Sequence, residues 1–413
     1  MSGYPHLAWE GITGGIIPEP DIDWLEGQGT TGDPYRIDTA QQLILLGKAS
    51  IIWDKYFALA ADIDLDPNLP GRQVFKQAPI PEFMGVFDGH GWTISHLTIQ
   101  GESDLGLFGQ LAASSEVKNL TLLEVNITGF GSYRGALTAR NGGRITDCHS
   151  AGVVSNGNWY FGGLVGINWG ALTNCNSSAA VNGGFFLGGL VGYNLYDGNI
   201  NNCYSTGQIS GGATAGGLVG SNEGTVTQCH STGGAEGDFF GQVGGLVGNN
   251  SGTIAASYST GPSSGSWSVG GLVGCNAYGS ITTSYSSGPV QGFDYYHGGL
   301  VGSNVEGIIT ACYSTGAVSS LYGGAGLVEL NDNGTVTACF WDIQTSGQAT
   351  SAGGTGKTTA EMQTASTFLE AGWDFVDETA NGTGDIWWIL EGQDYPRLWW
   401  ELMPDEPLEN FGK

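Results

Sequence analysis

Apolar residues recur along the chain with a fixed period. The string GGLVG begins at residues 162, 188, 216, 244, 270 and 298, and looser copies occupy 135–139 and 324–328. Its aligned leucines, 26 to 28 residues apart, are Leu137, Leu164, Leu190, Leu218, Leu246, Leu272, Leu300 and Leu327. An aliphatic residue follows each leucine within the unit, and Cys or Ser comes three positions later. Self-similarity at this period predicts a solenoid of stacked repeats.

Each unit has room for three short strands with their turns, which is one coil of a β-helix. In such a coil every strand pairs in parallel with its equivalent in the next coil, about 4.8 Å away. We therefore predict an all-β fold, a single-stranded right-handed parallel β-helix (solenoid) of about nine coils with short α-helical end caps. The right hand follows from the usual preference of parallel crossovers.

An asparagine stands four residues after the leucine in all eight units. The column contains Asn141, Asn168, Asn194, Asn222, Asn250, Asn276, Asn304 and Asn331. Stacked inward-facing amides can bond to one another and to turn backbone groups, so we predict a structural asparagine ladder. Six of the seven cysteines also share one column. We expect them to be small buried core residues, because stacked parallel side chains fit disulfide geometry poorly.

The cap and domain limits follow from breaks in the repeat. Residues 38–47 and 358–372 each combine a capping residue with a closing glycine and read as helices. We place them at the two ends of the β-column, because open strand edges need cover. The expected divisions are an N-terminal segment and helical cap at 1–84, the β-helix at 85–345, and a helical, Trp-rich cap at 346–413.

Composition and charge narrow the choice of partners. The 413 residues include 73 glycines, and 12 Lys and Arg stand against 39 Asp and Glu, for a net charge of −27. Residues 145–356 contain no Lys or Arg. We therefore expect no nucleic acid partner, because nucleic acids are bound through clustered basic side chains. No apolar run reaches about 18 residues, so we expect no membrane insertion.

Two groups of aromatic residues are candidate ligand-binding surfaces. One follows the Cys/Ser column, where strand alternation places it outside the core, and includes Tyr204, Tyr258, Tyr285 and Tyr313. The other precedes the GGLVG strings and includes Tyr160, Trp267 and Tyr296. Exposed rings in either group could contact sugars, or they could support neighbouring rungs and fill the core. The strand parity across the Gly-Gly bend leaves the second group open between these interpretations.

A seven-residue echo suggests a role in assembly. Residues 4–10, YPHLAWE, match residues 395–401, YPRLWWE, at five of seven positions. The candidate assembly residues are Tyr4, Trp9, Tyr395, Trp399 and Trp400. One hypothesis is that the domain is repeated in tandem, with the opening segment closing a preceding unit. The other is that the opening segment docks onto the next subunit of a filament.

Candidate chemistry is sparse. Ten acids lie between residues 145 and 356 without a repeated cluster, and Glu236 and Asp238 read as a solvated turn. A glycosidase needs two facing carboxylates, so we predict no enzyme and assign no catalytic residue. Asp62, Asp64 and Asp66 alternate but depart from the EF-hand pattern at Pro67 and Gln73. We expect no cofactor and no metal, with a non-EF calcium site at these aspartates left open.

The repeat columns resemble the GLUG-motif repeats of bacterial surface and secreted β-helix proteins, including segments of adhesin-like and IgA-peptidase-type proteins. The residues that carry the resemblance are the GGLVG strings, the asparagine column and the Cys-Tyr-Ser-Thr-Gly runs at 203–207 and 312–316. The match covers roughly residues 85–345. It implies an extracellular or cell-surface location and a role in adhesion or scaffolding. It carries over no catalytic residues, because the peptidase chemistry of those proteins lies outside the repeats.

These observations favour a non-enzymatic extracellular structural or adhesive β-solenoid that self-assembles head to tail or forms part of a tandem array. Its expected partners are other copies of itself or a cell-surface polymer or glycan. Two alternatives remain open. One is a carbohydrate-binding β-helix that uses the aromatic ladders, and the other is a polysaccharide-degrading β-helix enzyme.

Overall fold

The chain folds as an all-β parallel solenoid in a computed structural model, which describes residues 22–238, 240–378, 382 and 384–402. Four parallel sheets run along the column, and one of them has ten strands, close to the expected nine coils. The predicted fold class is confirmed. Each central coil contains five short strands rather than three, because glycine corners divide the longer stretches.

Sheet 1 has 12 strands and runs the full length of the column. Its strands are Tyr35–Ile37, Tyr56–Leu59, Val86–Asp88, Glu116–Lys118, Arg144–Thr146, Ala171–Thr173, Asn199–Asn201, Thr225–Thr227, Thr253–Ala255, Ser280–Thr282, Ile308–Thr310 and Thr335–Thr337. The first of them pairs in parallel with the second. The parallel pairing therefore extends into the segment that we assigned to the N-terminal cap, well before residue 85.

Sheet 2 contributes two adjoining ladders of short strands to most coils. Its strands are Ile63–Asp64, Thr93–Ser95, Thr98–Gly101, Thr121–Gly129, His149–Ser155, Asn176–Ser177, Ala180–Asn182, Tyr204–Ser205, Ile209–Ser210, His230–Ser231, Ala235–Glu236, Tyr258–Ser259, Ser263–Gly265, Tyr285–Ser286, Val290–Gly292, Tyr313–Ser314, Val318–Ser320, Phe340–Asp342 and Thr355–Lys357. The last two pair with each other in parallel, so the ladder continues past residue 345.

Sheets 3 and 4 flank the GGLVG strings. Sheet 3 contains Ile80–Phe83, Phe108–Leu111, Thr138–Asn141, Val165–Asn168, Val191–Asn194, Val219–Asn222, Val247–Asn250, Val273–Ala277, Val301–Val305 and Val328–Asp332. Sheet 4 contains Tyr160–Gly162, Phe186–Gly188, Thr214–Gly216, Gln242–Gly244, Ser268–Gly270 and His297–Gly298. The glycines let the two sheets meet backbone to backbone. A Cβ on Gly192 would lie 2.6 Å from the backbone nitrogen of Phe161, so no larger residue fits there.

This corner divides the interior into two cores. The main core contains the leucine column of the GGLVG strings, and all eight predicted leucines are 0% exposed. A second, smaller core lies between sheets 2 and 4, with Phe161, Leu187 and Val243 among its members. At about 25 cal/mol per Å² of buried apolar surface, such continuous columns supply most of the driving force for folding.

Short helices stand at both ends of the chain. Helix Ala40–Leu46 begins with a capping box between Thr39 and Gln42, as the sequence predicts. The remaining helices are Ile343–Ser346, Thr359–Met362 and Ala365–Leu369, with 3-10 turns at Ser50–Ile52 and Trp399–Leu402 and a small antiparallel pair, Trp387–Trp388 with Arg397–Leu398. Within the described residues, no helix is long and apolar enough to cross a membrane.

The C-terminal helix differs from the prediction. The expected single helix at 358–372 is split into two, because the backbone leaves the helical conformation at Gln363 (φ −101°, ψ 18°) and is extended at Thr364 (φ −122°, ψ 119°). Both helices lie on the flank of the column rather than at its end, where Met362 and Phe368 pack beside sheet 2. Ile343, the first residue of helix Ile343–Ser346, packs against the main core.

Candidate functional site

A stack of aromatic rings, the outer ladder, runs along the outside of sheet 2. Its members are Tyr204, His230, Tyr258, Tyr285, Tyr313 and Phe340. From Tyr204 to Tyr313, successive ring centroids lie 4.9–5.0 Å apart with interplanar angles of 6–10°. In-register parallel pairing places equivalent rings one strand spacing apart, so they stack face to face along the column. Most ring faces are therefore covered by neighbouring rungs.

Most of the outer ladder is covered by the C-terminal segment, residues 359–402. Tyr285 and Tyr313 are each only 2% exposed, because Met362, Phe368 and Trp387 pack over them. The expectation that these two tyrosines are exposed ligand-binding residues is therefore wrong. A non-repeating segment covers the face that strand alternation correctly places outside the main core.

Specific hydrogen bonds hold this segment in place. The Tyr285 hydroxyl donates to Glu401 at 2.8 Å, and the Tyr313 hydroxyl donates to the carbonyl of Pro396. Burial raises the pKa of both phenols, so they stay protonated and can donate. The indole nitrogen of Trp373 donates to the carbonyl of Ala338 at 2.9 Å. These two hydroxyls and the indole N–H thus each have a partner, as polar groups at a largely buried interface require.

The turn between sheets 1 and 2 changes its residue type where the segment docks. Nine successive coils each place one residue there with φ of 45–54°, and these are Asn119, Asp147, Asn174, Asn202, Gln228, Ala256, Thr283, Ala311 and Ala338. Asn and Asp tolerate this left-handed conformation, whereas Ala is strained in it by about 1–2 kcal/mol. The three alanines pack against the C-terminal segment, and the hydroxyl of Thr283, which stands between them in the column, accepts the backbone N–H of Ala256 at 3.2 Å. This change toward small residues accompanies the docking face and was not predicted from the sequence.

An open groove of about 760 Å³ remains at the end of the docked segment. It lies between the outer ladder and the residues Trp388, Asp394, Arg397, Trp400 and Glu401, beside the turn amides Asn174 and Asn202. Tyr204 is 37% exposed here, and Tyr258 is half-buried. Burial lowers the pKa of His230 to about 4 and raises the pKa of Glu401. The groove therefore keeps a neutral imidazole between two tyrosines at neutral pH.

A second group of aromatics forms the aromatic ridge, at the corner between sheets 2 and 4. Its members are Trp159, Phe185, Phe240, Trp267, Phe293, Tyr295 and Tyr322, which are 40–80% exposed. The ring centroids of Trp159 and Phe185 lie 4.9 Å apart, and those of Trp267 and Tyr295 lie 5.3 Å apart, with the rings tilted in both pairs. The predicted residue Trp267 is 40% exposed, and Tyr296 is half-buried beside it. The sequence left open whether the aromatic residues before the GGLVG strings fill the core or face solvent. In the structure most of them face solvent.

Tyr160 takes a different position from the ridge. Tyr160 is half-buried and stacks with Tyr133, Phe186 and Tyr193, whose ring centroids lie 5.2–5.3 Å from its own. The stack lies in the groove between sheets 3 and 4. Arg140 caps this stack, with its guanidinium 4.3 Å from the Tyr133 ring centroid. Tyr160 is therefore mainly a packing residue.

The asparagine ladder is confirmed. Each Nδ2 donates to the Oδ1 of the next asparagine at 2.7–2.8 Å, without a break from Asn141 to Asn331. Each Nδ2 also donates to a glycine carbonyl in its own turn, as Asn222 does to Gly224 at 3.2 Å. All members but Asn331 are 0% exposed. The ladder is a structural element of the interior.

The cysteine column is also structural. All seven cysteines are free and buried. In the column, the thiol of Cys229 donates to the carbonyl of Thr227 at 3.1 Å, and its sulfur accepts from the backbone of Cys203. Burial raises the pKa of the Cys148 and Cys312 thiols, which keeps them protonated. These side chains fill the core and are not available as nucleophiles.

The alternating aspartates near the N-terminal end are engaged within the protein. Asp64 pairs with His96 at 2.9 Å, and His96 also contacts Glu124 at 2.7 Å. Asp62 accepts the backbone N–H of Thr93. Among the described residues, no group of three or more His, Cys, Asp or Glu side chains is arranged to hold a metal ion.

A groove that sequence analysis did not anticipate lies beside the start of the second core. It has a volume of about 1140 Å³ and is lined by Lys76, Glu102 and the exposed Phe130. Next to it the buried Arg134 donates to the carbonyls of Gly131 and Ser155 and lies 4.7 Å over the Phe161 ring. Arg134 thereby closes the end of the second core.

The candidate assembly residues fall into two sets. Tyr4 and Trp9 lie outside the described residues. Tyr395 and Trp400 are half-buried in the docked segment, and Trp399 is 46% exposed.

Comparison with known proteins identifies the repeat type. The family model described as the GLUG motif matches residues 157–182, 183–210 and 265–290. The three matches lie within the coils that contain the asparagine ladder.

Two curated relatives align with about a third of the chain. Halomucin of Haloquadratum walsbyi is 36% identical over 126 residues, which cover 29% of this chain and 1% of halomucin. A protein named as a Gly-rich membrane protein of Evansella cellulosilytica is 35% identical over 132 residues, which cover 29% of this chain and 14% of that protein. The matched part is therefore a small fraction of each relative's length.

Two solved structures align with the chain at low similarity. One, an immunoglobulin A1 protease from Bacteroides ovatus by its name, is 19% identical with a TM-score of 0.39, covering 91% of this chain and 94% of that one. The other, named IgA1 Protease, is 12% identical with a TM-score of 0.32, covering 84% of this chain and 25% of that one. The chain is a parallel β-solenoid that carries GLUG-motif repeats and is similar over 29% of its length to halomucin and to a Gly-rich membrane protein.

Proposed function

We propose that the chain is a non-enzymatic structural and adhesive module of an extracellular or cell-surface protein, and that it makes contact through the aromatic ridge. The exposed ridge carries the proposal. Large aromatic side chains that are 40–80% exposed on one corner of a soluble protein mark a contact surface. Side chains of the second core pack behind that corner, among them Phe161, Leu187 and Val243, each 0% exposed.

The engagement of the reactive side chains supports a non-enzymatic role. The cysteine thiols are buried and hydrogen-bonded. Glu401 accepts from Tyr285 and from the backbone N–H of Leu398, and His230 is stacked between two tyrosines. Incubation of the full chain with immunoglobulin A1, casein and soluble polysaccharides should release no peptide or sugar. Time-dependent product from the purified chain contradicts this part of the proposal.

The adhesive role is tested with beads that carry the full chain. The triple variant Trp267→Ser/Tyr295→Ser/Tyr322→Ser removes the C-terminal half of the ridge. The matched control is Tyr196→Ser/Tyr278→Ser, which removes two tyrosines that are 77% and 70% exposed at the corner after the asparagine ladder. We expect beads with the ridge variant to be retained at least about tenfold less than wild-type beads, on polysaccharide-coated surfaces or on beads carrying the same chain. The reason is that a few aromatic side chains supply most of the binding energy of such a contact. Equal retention by both variants contradicts the proposal.

A polysaccharide is the second candidate partner, and one feature of the ridge favours it. A cleft of about 400 Å³ is lined by Asn158, Trp159 and Phe185, which combine an amide with tilted exposed rings. Outer-ladder faces are stacked against each other, whereas these faces are open to a sugar ring. Affinity electrophoresis in gels containing soluble polysaccharides should retard the wild type more than Trp159→Ser. Equal mobility of the two proteins in every gel excludes this candidate.

A further inference from the structure

The two copies of the heptapeptide, residues 4–10 and 395–401, differ in what the structure describes. The second copy docks along the outer ladder, so the role of each of its residues is visible. Five positions are identical between the copies, and they are the Tyr, Pro, first Leu, last Trp and Glu. The structure shows what those five residues do in the docked copy.

All five shared residues contact the column or the docked segment. The Tyr395 hydroxyl donates to Asp342 at 2.8 Å, and the Pro396 carbonyl accepts from Tyr313. Leu398 is 0% exposed in the aromatic cluster. Trp400 stacks over Tyr258 at 5.5 Å and donates its indole N–H to the carbonyl of Ala256. Glu401 accepts the hydroxyl of Tyr285.

The two positions that differ are Arg397 and Trp399, replaced by His6 and Ala8 in the first copy. Arg397 lines the groove beside the outer ladder, but its ion pairs lie within its own segment, with Asp394 at 3.0 Å and Glu401 at 3.7 Å. Trp399, replaced by Ala8, is 46% exposed. The two copies therefore agree where docking requires a residue type and differ where it does not.

We propose that residues 4–10 are a second docking heptapeptide, which binds the outer ladder of a second copy of this chain in place of that copy's residues 395–401. In one chain residues 395–401 already occupy the ladder. The N-terminal segment leads into the first coils, whereas the docking face belongs to the last ones. Such a contact joins different surfaces of the two copies, so it continues from copy to copy as an open chain unless its rotation closes a ring or the two copies exchange segments reciprocally. The proposal is independent of the ridge.

Exchange depends on the state of the resident heptapeptide. A tethered segment acts at an effective concentration in about the millimolar range, so a peptide in trans binds only weakly while the resident one is docked. The proposal is therefore tested with the full chain after the resident heptapeptide has been released. Leu398→Asp/Trp400→Ala releases it, because a charge replaces a fully buried side chain and the stacking indole is removed.

The first arm tests whether the N-terminal sequence can dock. Arg397→His/Trp399→Ala converts residues 395–401 into the sequence of residues 4–10. We expect this graft to protect Tyr285 and Tyr313 from hydroxyl-radical oxidation as the wild type does, whereas Leu398→Asp/Trp400→Ala exposes them. Oxidation of both tyrosines in the graft at the rate of the released variant overturns the proposal.

The second arm tests binding in trans. A fluorescent peptide of residues 1–14 should bind the released full-length variant at least about tenfold more tightly than a control peptide with Leu7→Asp and Trp9→Ala, as expected for loss of two hot-spot side chains. Bound peptide should also restore protection of Tyr313. Equal affinity of the two peptides, or binding without protection of Tyr313, overturns the proposal. Bead adhesion through the ridge is unaffected by either result, so the two proposals fail separately.

Discussion

The indole nitrogen of Trp400 donates a 3.1 Å hydrogen bond to the carbonyl oxygen of Ala256, 144 residues earlier in the chain. This contact joins a non-repeating segment to one rung of a repeating column. Ala256 adopts φ of 46°, and its small side chain leaves room for the indole. The outer ladder is thereby converted from an exposed face into an internal interface.

Trp400 should contribute to stability as an interface residue. Trp400→Ala should lower the free energy of unfolding of the C-terminal segment by about 2–4 kcal/mol, because a stacked, hydrogen-bonded ring is lost. Hydrogen exchange of the pair Trp387–Trp388 with Arg397–Leu398 measures that opening. The control is Trp399→Ala, whose side chain is 46% exposed and should cost less than about 1 kcal/mol. Equal effects of the two substitutions contradict the docked arrangement.

The asparagine ladder should be most sensitive at its centre. Asn222→Ala removes the ladder partners of one N–H of the Asn194 Nδ2 and of the Asn250 Oδ1 in a buried site, while the other Asn194 N–H keeps its bond to Gly198. Each unsatisfied buried group costs about 1–3 kcal/mol, so urea denaturation should show a loss of about 2–5 kcal/mol. Asn331→Ala, at the half-buried end of the ladder, should cost less than half as much. A smaller loss at Asn222 than at Asn331 argues against a continuous ladder.

The cysteine column should accept serine but not an apolar replacement. Ser257 and Ser284 occupy this column, and their hydroxyls donate to carbonyls two residues earlier at 2.8 and 2.7 Å. Cys229→Ser should therefore cost less than about 1.5 kcal/mol. Cys229→Val removes the acceptor of the Cys203 backbone N–H and should cost about 1–3 kcal/mol more in thermal or urea unfolding. The reverse order would show that volume, not hydrogen bonding, determines this column.

His230 should make stability depend on pH in the acid range. Burial lowers the pKa of His230 to about 4, so between about pH 6.5 and 4 the unfolded chain binds a proton that the folded chain does not. The free energy of unfolding should therefore fall as pH falls through that window, by up to about 3 kcal/mol.

The matched variant is His230→Tyr, since tyrosine occupies the neighbouring rungs and does not titrate there. Urea denaturation from pH 7 to pH 4 should show a smaller loss of stability for His230→Tyr than for the wild type. Burial also lowers the pKa of His297, but that contribution is common to both proteins. Parallel pH profiles contradict the buried neutral imidazole.

The repeating part of the fold was predictable because each residue column has one environment. Leu190 and Asn194 recur at a fixed distance in every unit, and in-register stacking gives their equivalents the same burial and the same partners. The outward position of Tyr258 followed from the same alternation. The sequence left open whether Tyr258 would contact a sugar or support the neighbouring rungs. Its stacking on Tyr285 corresponds to the second interpretation.

The covering of the ladder was not predicted, since residues 359–402 lie outside the repeat of 26 to 28 residues and no period locates them on the column. The change from Asn202 to Ala256 in the left-handed turn column was present in the sequence. It becomes interpretable only with the backbone angle known, because alanine is unremarkable in any other conformation. The exposure of Trp267 depended on the turn across Gly270 and Gly271, where strand alternation breaks.

Hydroxyl-radical footprinting of the full chain shows whether the ridge is the open aromatic face and the outer ladder is covered. We expect rapid oxidation of Trp267, Tyr295 and Tyr322, with Tyr285 and Tyr313 protected until the chain unfolds. We also expect the ridge alone to become protected when the chain is bound to the surface that retains it in the bead assay. Oxidation of Tyr285 and Tyr313 as fast as Tyr322 in the native chain, or protection of the ladder instead of the ridge on binding, would contradict this arrangement.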